Sequence, residues 1–246
     1  MRYKILIEYE GSNYVGWQRQ KDHHSVQEAI ETAIFAFSGE NVTIVGAGRT
    51  DAGVHALSQV AHFDLNKKIT EYKLMSAING YLKLNRENII VTDAQLCADD
   101  FNARFSAVKR HYMYKVYNRN IPAVLDKNRC WWVPNKLDIQ SMVAASKKLV
   151  GLHDFTTFRS VNCQAKNPVR HLDQCDIIVN GYFIEFYLSA KGFLHNQVRS
   201  IVGSLIEVGI GRWSVDDLEQ ALKACDRTKC GRVAPPYGLY FVAVDY

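Results

Sequence analysis

Apolar and polar residues alternate over residues 4–10, which puts Ile5, Ile7 and Tyr9 on one face and predicts a half-buried strand. A polar loop follows over 11–24. Ser25-Val26-Gln27-Glu28 then has the form of a helix-starting capping box. Behind it Val26, Ile30, Ala33, Ile34 and Phe37 recur at helical spacing until Gly39 ends the run. A β-branched run (Val42, Thr43, Ile44, Val45) and an alternating stretch at 60–65 predict two more strands. Leu74, Ile78 and Leu82 predict a helix over 70–82, and residues 89–96 read as a strand. The order is βαββαβ.

The second half repeats that order with insertions. Residues 108–118 predict a strand, 138–150 a helix, and 176–189 a hairpin whose Asn180-Gly181 pair is the strongest local turn signal in the chain. Helices are expected over 194–208 and 214–225, and a closing strand over 239–245. Two successive βαββαβ units predict an α+β protein of two ferredoxin-like halves, residues 1–105 and 106–246. Each half would cover one sheet face with helices and leave the other open, and two halves side by side would leave a cleft for a ligand.

Composition narrows the setting. The chain has 246 residues, 48% of them hydrophobic, which suffices for a sizeable core. A net charge of +5 is compatible with a polyanionic partner without specifying one. The N-terminal segment alternates and carries charges throughout, so it is not a signal peptide. No apolar run approaches the roughly 18 residues of a membrane span. A soluble, cytoplasmic protein is expected. None of the six cysteines forms a C-x-x-C pair or has histidines at zinc-finger spacing, so reduced structural thiols are expected, and no metal.

Candidate chemistry concentrates in Ala47-Gly48-Arg49-Thr50-Asp51-Ala52-Gly53-Val54-His55-Ala56, a loop between two predicted strands. Its glycines permit positive φ or close backbone approach. An ionised carboxylate there can act as a nucleophile or base. On spacing alone, Asp51 reads first as a turn residue bonding its own backbone, and Arg49 as a solvated partner. The stretch from Gly48 to Ala56 resembles the signature loop of the tRNA pseudouridine synthase A family, in which the aspartate is catalytic. That residue is Asp51 here.

Five further segments carry the same resemblance. Tyr9-Glu10-Gly11-Ser12-Asn13-Tyr14-Val15-Gly16-Trp17-Gln18-Arg19-Gln20 is similar to the family's Y-D-G-x-x-Y-x-G-W-Q-x-Q, with Glu10 where Asp is usual. By itself this loop fits two descriptions: exposed aromatics that stack on unpaired bases, or aromatics that fill core. Arg110-His111-Tyr112-Met113-Tyr114 is similar to its R-x-Y-x-Y, whose first tyrosine (Tyr112) lies against the target base. Phe193-Leu194-His195-Asn196-Gln197-Val198-Arg199 is similar to the segment whose arginine (Arg199) pairs with the catalytic aspartate; Gln197 stands where Met is usual, a packing variation on this reading. Residues 151–158 and 234–246 match its G-x-H-D-F-T-x-F and C-terminal patterns, with Phe241 at a usual Leu. Arg199 borders the apolar stripe Leu194, Val198, Ile201, Val202 and Leu205.

The resemblance implies two joined sheets around a central cleft, and isomerisation of uridine to pseudouridine in the anticodon stem-loop of tRNAs at positions 38, 39 and 40. It implies no cofactor, and a homodimer binding tRNA. Asp51 would be the nucleophile, supported by Tyr112, Arg49 and Arg199. Trp17, Gln18, Arg19, Arg104, Lys109 and Arg110 are candidates for RNA contact. Whether Asp51 attacks the sugar or assists cleavage, and whether Asp51 or Tyr112 removes the carbon-5 proton, stays open. Three rivals share these features. They are a non-catalytic RNA-binding module, a glycosidase that releases free uracil, and the same isomerisation at other RNA positions.

Overall fold

The computed structural model describes residues 1–246 and divides into two compact units, Met1–Val108 with Tyr240–Tyr246, and Lys109–Leu239. No helix is long and apolar enough to cross a membrane.

The first unit opens with β1 (Arg2–Tyr9), whose odd-numbered residues Tyr3, Ile5, Ile7 and Tyr9 are buried, as its alternation requires. Helix α1 (Val26–Ser38) starts at Ser25, whose hydroxyl accepts the Glu28 N–H at 3.2 Å, and stops at Gly39, which takes φ +74°. Its buried face holds Val26, Ile30, Ala33 and Ile34. Fully burying an isoleucine there is worth about 1.5–3 kcal/mol. The β-branched run before the Asp51 loop yields only a short strand, β2 (Val45–Gly46), and β3 is long (His55–Asp64). Helix α2 (Glu71–Leu84) buries Leu74, Ile78 and Leu82, and β4 (Ile89–Cys97) follows. Strand β1 lies between β4 and β3 and is antiparallel to both. β2 pairs antiparallel with β3, Val45 opposite His62 and Gly46 opposite Ala61.

The second unit contains β5 (Lys109–Tyr117), a two-residue β6 (Trp131–Trp132), α3 (Ile139–Lys147), β7 (Gly151–Asp154), β8 (Val169–Asn180), β9 (Phe183–Ala190), α4 (Gln197–Gly209) and α5 (Val215–Ala224). Its strands run in the order β5-β9-β8-β7, all antiparallel, with β6 parallel to β5. The β8–β9 turn differs from the sequence reading by one residue. Asn180 pairs with Phe183, so Gly181 and Tyr182 are the central residues. Gly181, at φ +60°, holds the first central position, which suits a type II′ turn where Asn-Gly suggested type I′.

Two expectations are redrawn. The last strand, β10 (Leu239–Asp245), was assigned to the second half, yet Tyr240 and Phe241 pair in parallel with His55 and Ala56 of β3. Helix α4 was expected to bury one stripe; it buries every residue except Arg199. Small residues make this possible. A Cβ on Gly203 would lie 1.7 Å from the Arg232 carbonyl oxygen, and one on Gly209 would lie 2.4 Å from the Met142 sulfur. Ser204 satisfies its buried hydroxyl on the Ser200 carbonyl at 2.9 Å.

Candidate active site

The Asp51 loop leaves the sheet at β2 and rejoins it at β3, and its backbone is bonded at several points. Ala47 N–H donates to Val60 O at 2.8 Å, which continues the β2–β3 ladder. The Gln59 side chain supplies the next rung: its Nε2 donates to Gly48 O at 2.7 Å and its Oε1 accepts from Gly48 N–H at 3.3 Å. Thr50 O accepts the Trp17 N–H at 3.0 Å, and the Thr50 hydroxyl meets the Tyr9 hydroxyl at 2.8 Å. Asp51 forms an isolated bridge with Gly16, and its carbonyl accepts the Val54 N–H at 3.2 Å in a turn where Gly53 takes φ +77°. Asp51 is half-buried and Arg49 is exposed.

Glycines are required where the 11–17 segment packs against this loop. A Cβ on Gly16, which sits at φ +111°, would lie 2.4 Å from Thr50 O and 3.0 Å from the Asp51 carbonyl carbon. One on Gly11 would lie 2.0 Å from Val54 O. His55 begins β3, with its Nδ1 accepting the Gly11 N–H at 3.0 Å and its ring 4.8 Å from that of Tyr240. Tyr9 is fully enclosed, and burial pushes its phenol up to about 12.

The structure chooses between the two readings of the 9–20 segment. Trp17 is 2% exposed, with its indole 2.6 Å from where a Gly46 Cβ would stand. It is a core residue and not a platform for bases. Gln18 Nε2 donates to Gln27 Oε1 at 2.7 Å. Arg19 is exposed but paired with Glu31 at 3.2 Å and Glu28 at 3.6 Å. Of the remaining RNA candidates, Arg104 is exposed and lies 5.5 Å over the ring of Phe105, which is itself 78% exposed. Lys109 pairs with Asp173 at 3.2 Å, and Arg110 donates to the Lys191 carbonyl.

In the second unit, Tyr112 is half-buried on β5 and meets Phe193 edge-on at 5.1 Å. Its strand-mate Tyr114 is wholly buried and donates its hydroxyl to Pro235 O at 2.7 Å, so it is a packing residue. Arg199 donates from Nε to Ala234 O at 2.8 Å and from Nη1 to Asn196 Oδ1 at 3.0 Å, which fixes its guanidinium at the start of α4. Asn196 caps that helix at φ +63°, an αL position asparagine tolerates. Gln197 does more than vary packing. Its Oε1 accepts the Leu194 N–H at 2.8 Å, while its Nε2 is buried without a hydrogen-bond partner. No group of three His, Cys, Asp or Glu side chains is placed to hold a metal ion.

Sequence reasoning missed Gln59 and Phe105, and it quoted Tyr9 and Phe193 within motif segments without assigning either a part in the site. Gln59 carried a readable signal, since it is the one amide in a strand that otherwise runs Val60-Ala61-His62-Phe63 into core. Phe105 carried none, and the edge-on contact of Phe193 with Tyr112 was not legible either, because exposure and ring contacts arise only on folding.

Comparison with known proteins gives one family. A family model described as tRNA pseudouridine synthase matches residues 5–106 and 145–246. The curated tRNA pseudouridine synthase A of Brucella anthropi is 54% identical over 245 residues, spanning 100% of this chain and 98% of its own. That of Brucella ovis matches to the same extent. Among solved structures, a Cbf5-Nop10-Gar1 complex aligns over 97% of this chain and 57% of its own, at 10% identity and a TM-score of 0.35.

Proposed function

We propose that this chain, which belongs to the tRNA pseudouridine synthase family, converts uridine to pseudouridine at positions 38 to 40 of the tRNA anticodon stem-loop, with Asp51 as nucleophile. It is an isomerase acting on tRNA. The observation that carries the role of Asp51 is the fixation of its loop. Backbone groups of residues 47, 48 and 50 are each bonded to a partner outside the loop, and Asp51 lies opposite Gly16. A carboxylate on so constrained a backbone needs little reorganisation during reaction, the condition under which positioning lowers a barrier.

In this reading the target uridine leaves its stack, at a cost of a few kcal/mol. Asp51 attacks the ribose anomeric carbon or assists as the bond from that carbon to N1 breaks, the use retaining glycosidases make of a carboxylate. The freed uracil turns and bonds to the same carbon through its carbon 5. A proton leaves carbon 5, taken by Asp51 or Tyr112, and N1 regains one. Nothing is oxidised and no group is imported, so the reaction calls on no cofactor. Arg199 is the cationic counterpart of Asp51, on the strength of the sequence segments. Arg49 and Arg104 with Phe105 serve RNA, since exposed guanidinium and aromatic groups hold phosphates and stack on bases, and half-buried Arg110 adds positive charge. The enzyme works as a cytoplasmic homodimer.

The test supplies tRNA tritiated at uracil carbon 5 to the wild type and to Asp51→Asn. Tritium release by the wild type alone, with uracil still attached to RNA, supports the reading. Release by both proteins removes Asp51 from the chemistry. Free uracil would make the protein a glycosidase. Tight binding with no release by either would favour a binding module. Mapping the pseudouridines in the product checks positions 38 to 40.

A further inference from the structure

Gln59 lies on β3 with no exposed surface, where an apolar residue would serve packing. A buried amide is costly unless both its ends are satisfied. Here one residue, Gly48, satisfies both ends, through its carbonyl at 2.7 Å and its N–H at 3.3 Å. The backbone ladder between β2 and β3 ends at the bond from Ala47 N–H to Val60 O. The amide of Gln59 therefore stands in for a strand at the point where the main chain turns away toward Asp51.

A bulge brings a second group to the same place. Along the β1–β3 pairing Ile7 faces Gln59, but Tyr9 faces Ala56, so one intervening residue of β1 is matched against two of β3. Ile7 and Tyr9 share a strand face, so Tyr9 lies on the Gln59 side. Its hydroxyl reaches the buried Thr50, 2.8 Å away. Gln59 and Tyr9 thus grip the loop one residue before and one residue after exposed Arg49, and Thr50 is the neighbour of Asp51.

We propose that Gln59 and Tyr9 are positioning residues for the isomerisation, holding residues 48–50 from beneath so that Asp51 is presented in one orientation. This rests on the reading of Asp51 as nucleophile. Both side chains are buried, so their removal is expected to act on the chemical step and not on tRNA affinity.

The experiment measures single-turnover tritium release at saturating tRNA, and tRNA Kd, for Gln59→Met and Tyr9→Phe at a temperature where each is folded. Ile34→Val serves as a control for general loss of stability, and Asp51→Asn is run in parallel. The expected result is a roughly ten- to hundredfold slower release with Kd within about twofold of wild type, and no change in rate for Ile34→Val. A rate for Gln59→Met within about twofold of wild type would overturn the proposal whatever happens to Kd, as would weakened binding alone. If Gln59→Met does not fold, Tyr9→Phe decides by the same criteria. An inactive Asp51→Asn beside unaffected Gln59 and Tyr9 variants defeats only the positioning role. An active Asp51→Asn defeats the parent reading.

Discussion

Replacing Gly16 by alanine tests whether the Asp51 loop is held by contact as well as by hydrogen bonds. The new Cβ would stand 2.4 Å from Thr50 O, whereas real Cβ atoms stay beyond 3.0 Å, so that contact must open by at least 0.6 Å, and Asp51, whose carbonyl carbon lies 3.0 Å from the same point, is joined directly to the peptide that moves. Alanine at φ +111° adds backbone strain of about 1–3 kcal/mol. A displacement approaching 1 Å at a reacting group lowers rates by up to about a hundredfold. The expected loss in kcat is therefore roughly ten- to hundredfold, or about 1.4–2.8 kcal/mol of barrier. Gly39→Ala isolates the strain. Its φ is +74°, yet a Cβ there meets nothing within 4 Å, and it caps α1 away from the loop. Urea denaturation should show both variants destabilised, by about 1 kcal/mol or somewhat more at Gly39. Tritium release should fall only for Gly16→Ala. Wild-type kcat in a folded Gly16→Ala protein would refute the view that close packing of the 11–17 segment sets the position of Asp51.

Other outcomes follow from the same geometry. Trp17→Ala should destabilise the protein by about 3–5 kcal/mol, because it empties a buried site; a loss of tRNA affinity without a change in Tm would restore the stacking role. Tyr114→Phe should lower stability by about 1 kcal/mol through the lost bond to Pro235 O and leave turnover intact, which calorimetry and the tritium assay can check together. Glu219 bonds Lys148 at 2.8 Å and Lys223 at 2.6 Å, which holds its carboxyl down to about 2. A depressed carboxylate stabilises the fold above its unfolded value and loses that contribution as pH falls through the folded one. The stability difference between wild type and Glu219→Gln should therefore be present at neutral pH, shrink below about pH 4.5 and vanish near pH 2; a difference independent of pH would remove these ion pairs from the stability of the α3–α5 contact.

The chain by itself determined the elements whose causes are local. Strand alternation on Ile5, Ile7 and Tyr9, the Ser25 cap, the Gly39 stop and the Leu74, Ile78, Leu82 stripe each depend on residues within a few positions, and each appears in the structure. The loop motif was legible for the same reason, because glycines and a carboxylate at fixed spacing are a local pattern. Tertiary structure decided what depends on distant partners. Trp17 could not be told from a base-stacking platform until Gly46, far along the chain, was seen beneath its ring. β10 could not be assigned to the first unit, because a strand's partner is absent from its own periodicity. The close burial of α4 depends on Arg232 and Met142 reaching its small residues Gly203 and Gly209. The fixation of Asp51 follows the same rule. Its sequence neighbours mark the loop, but the groups that hold it, Gln59, Tyr9, Gly16 and Trp17, arrive from two other segments, and only folding brings their hydrogen bonds and their absent side chains to bear on one backbone.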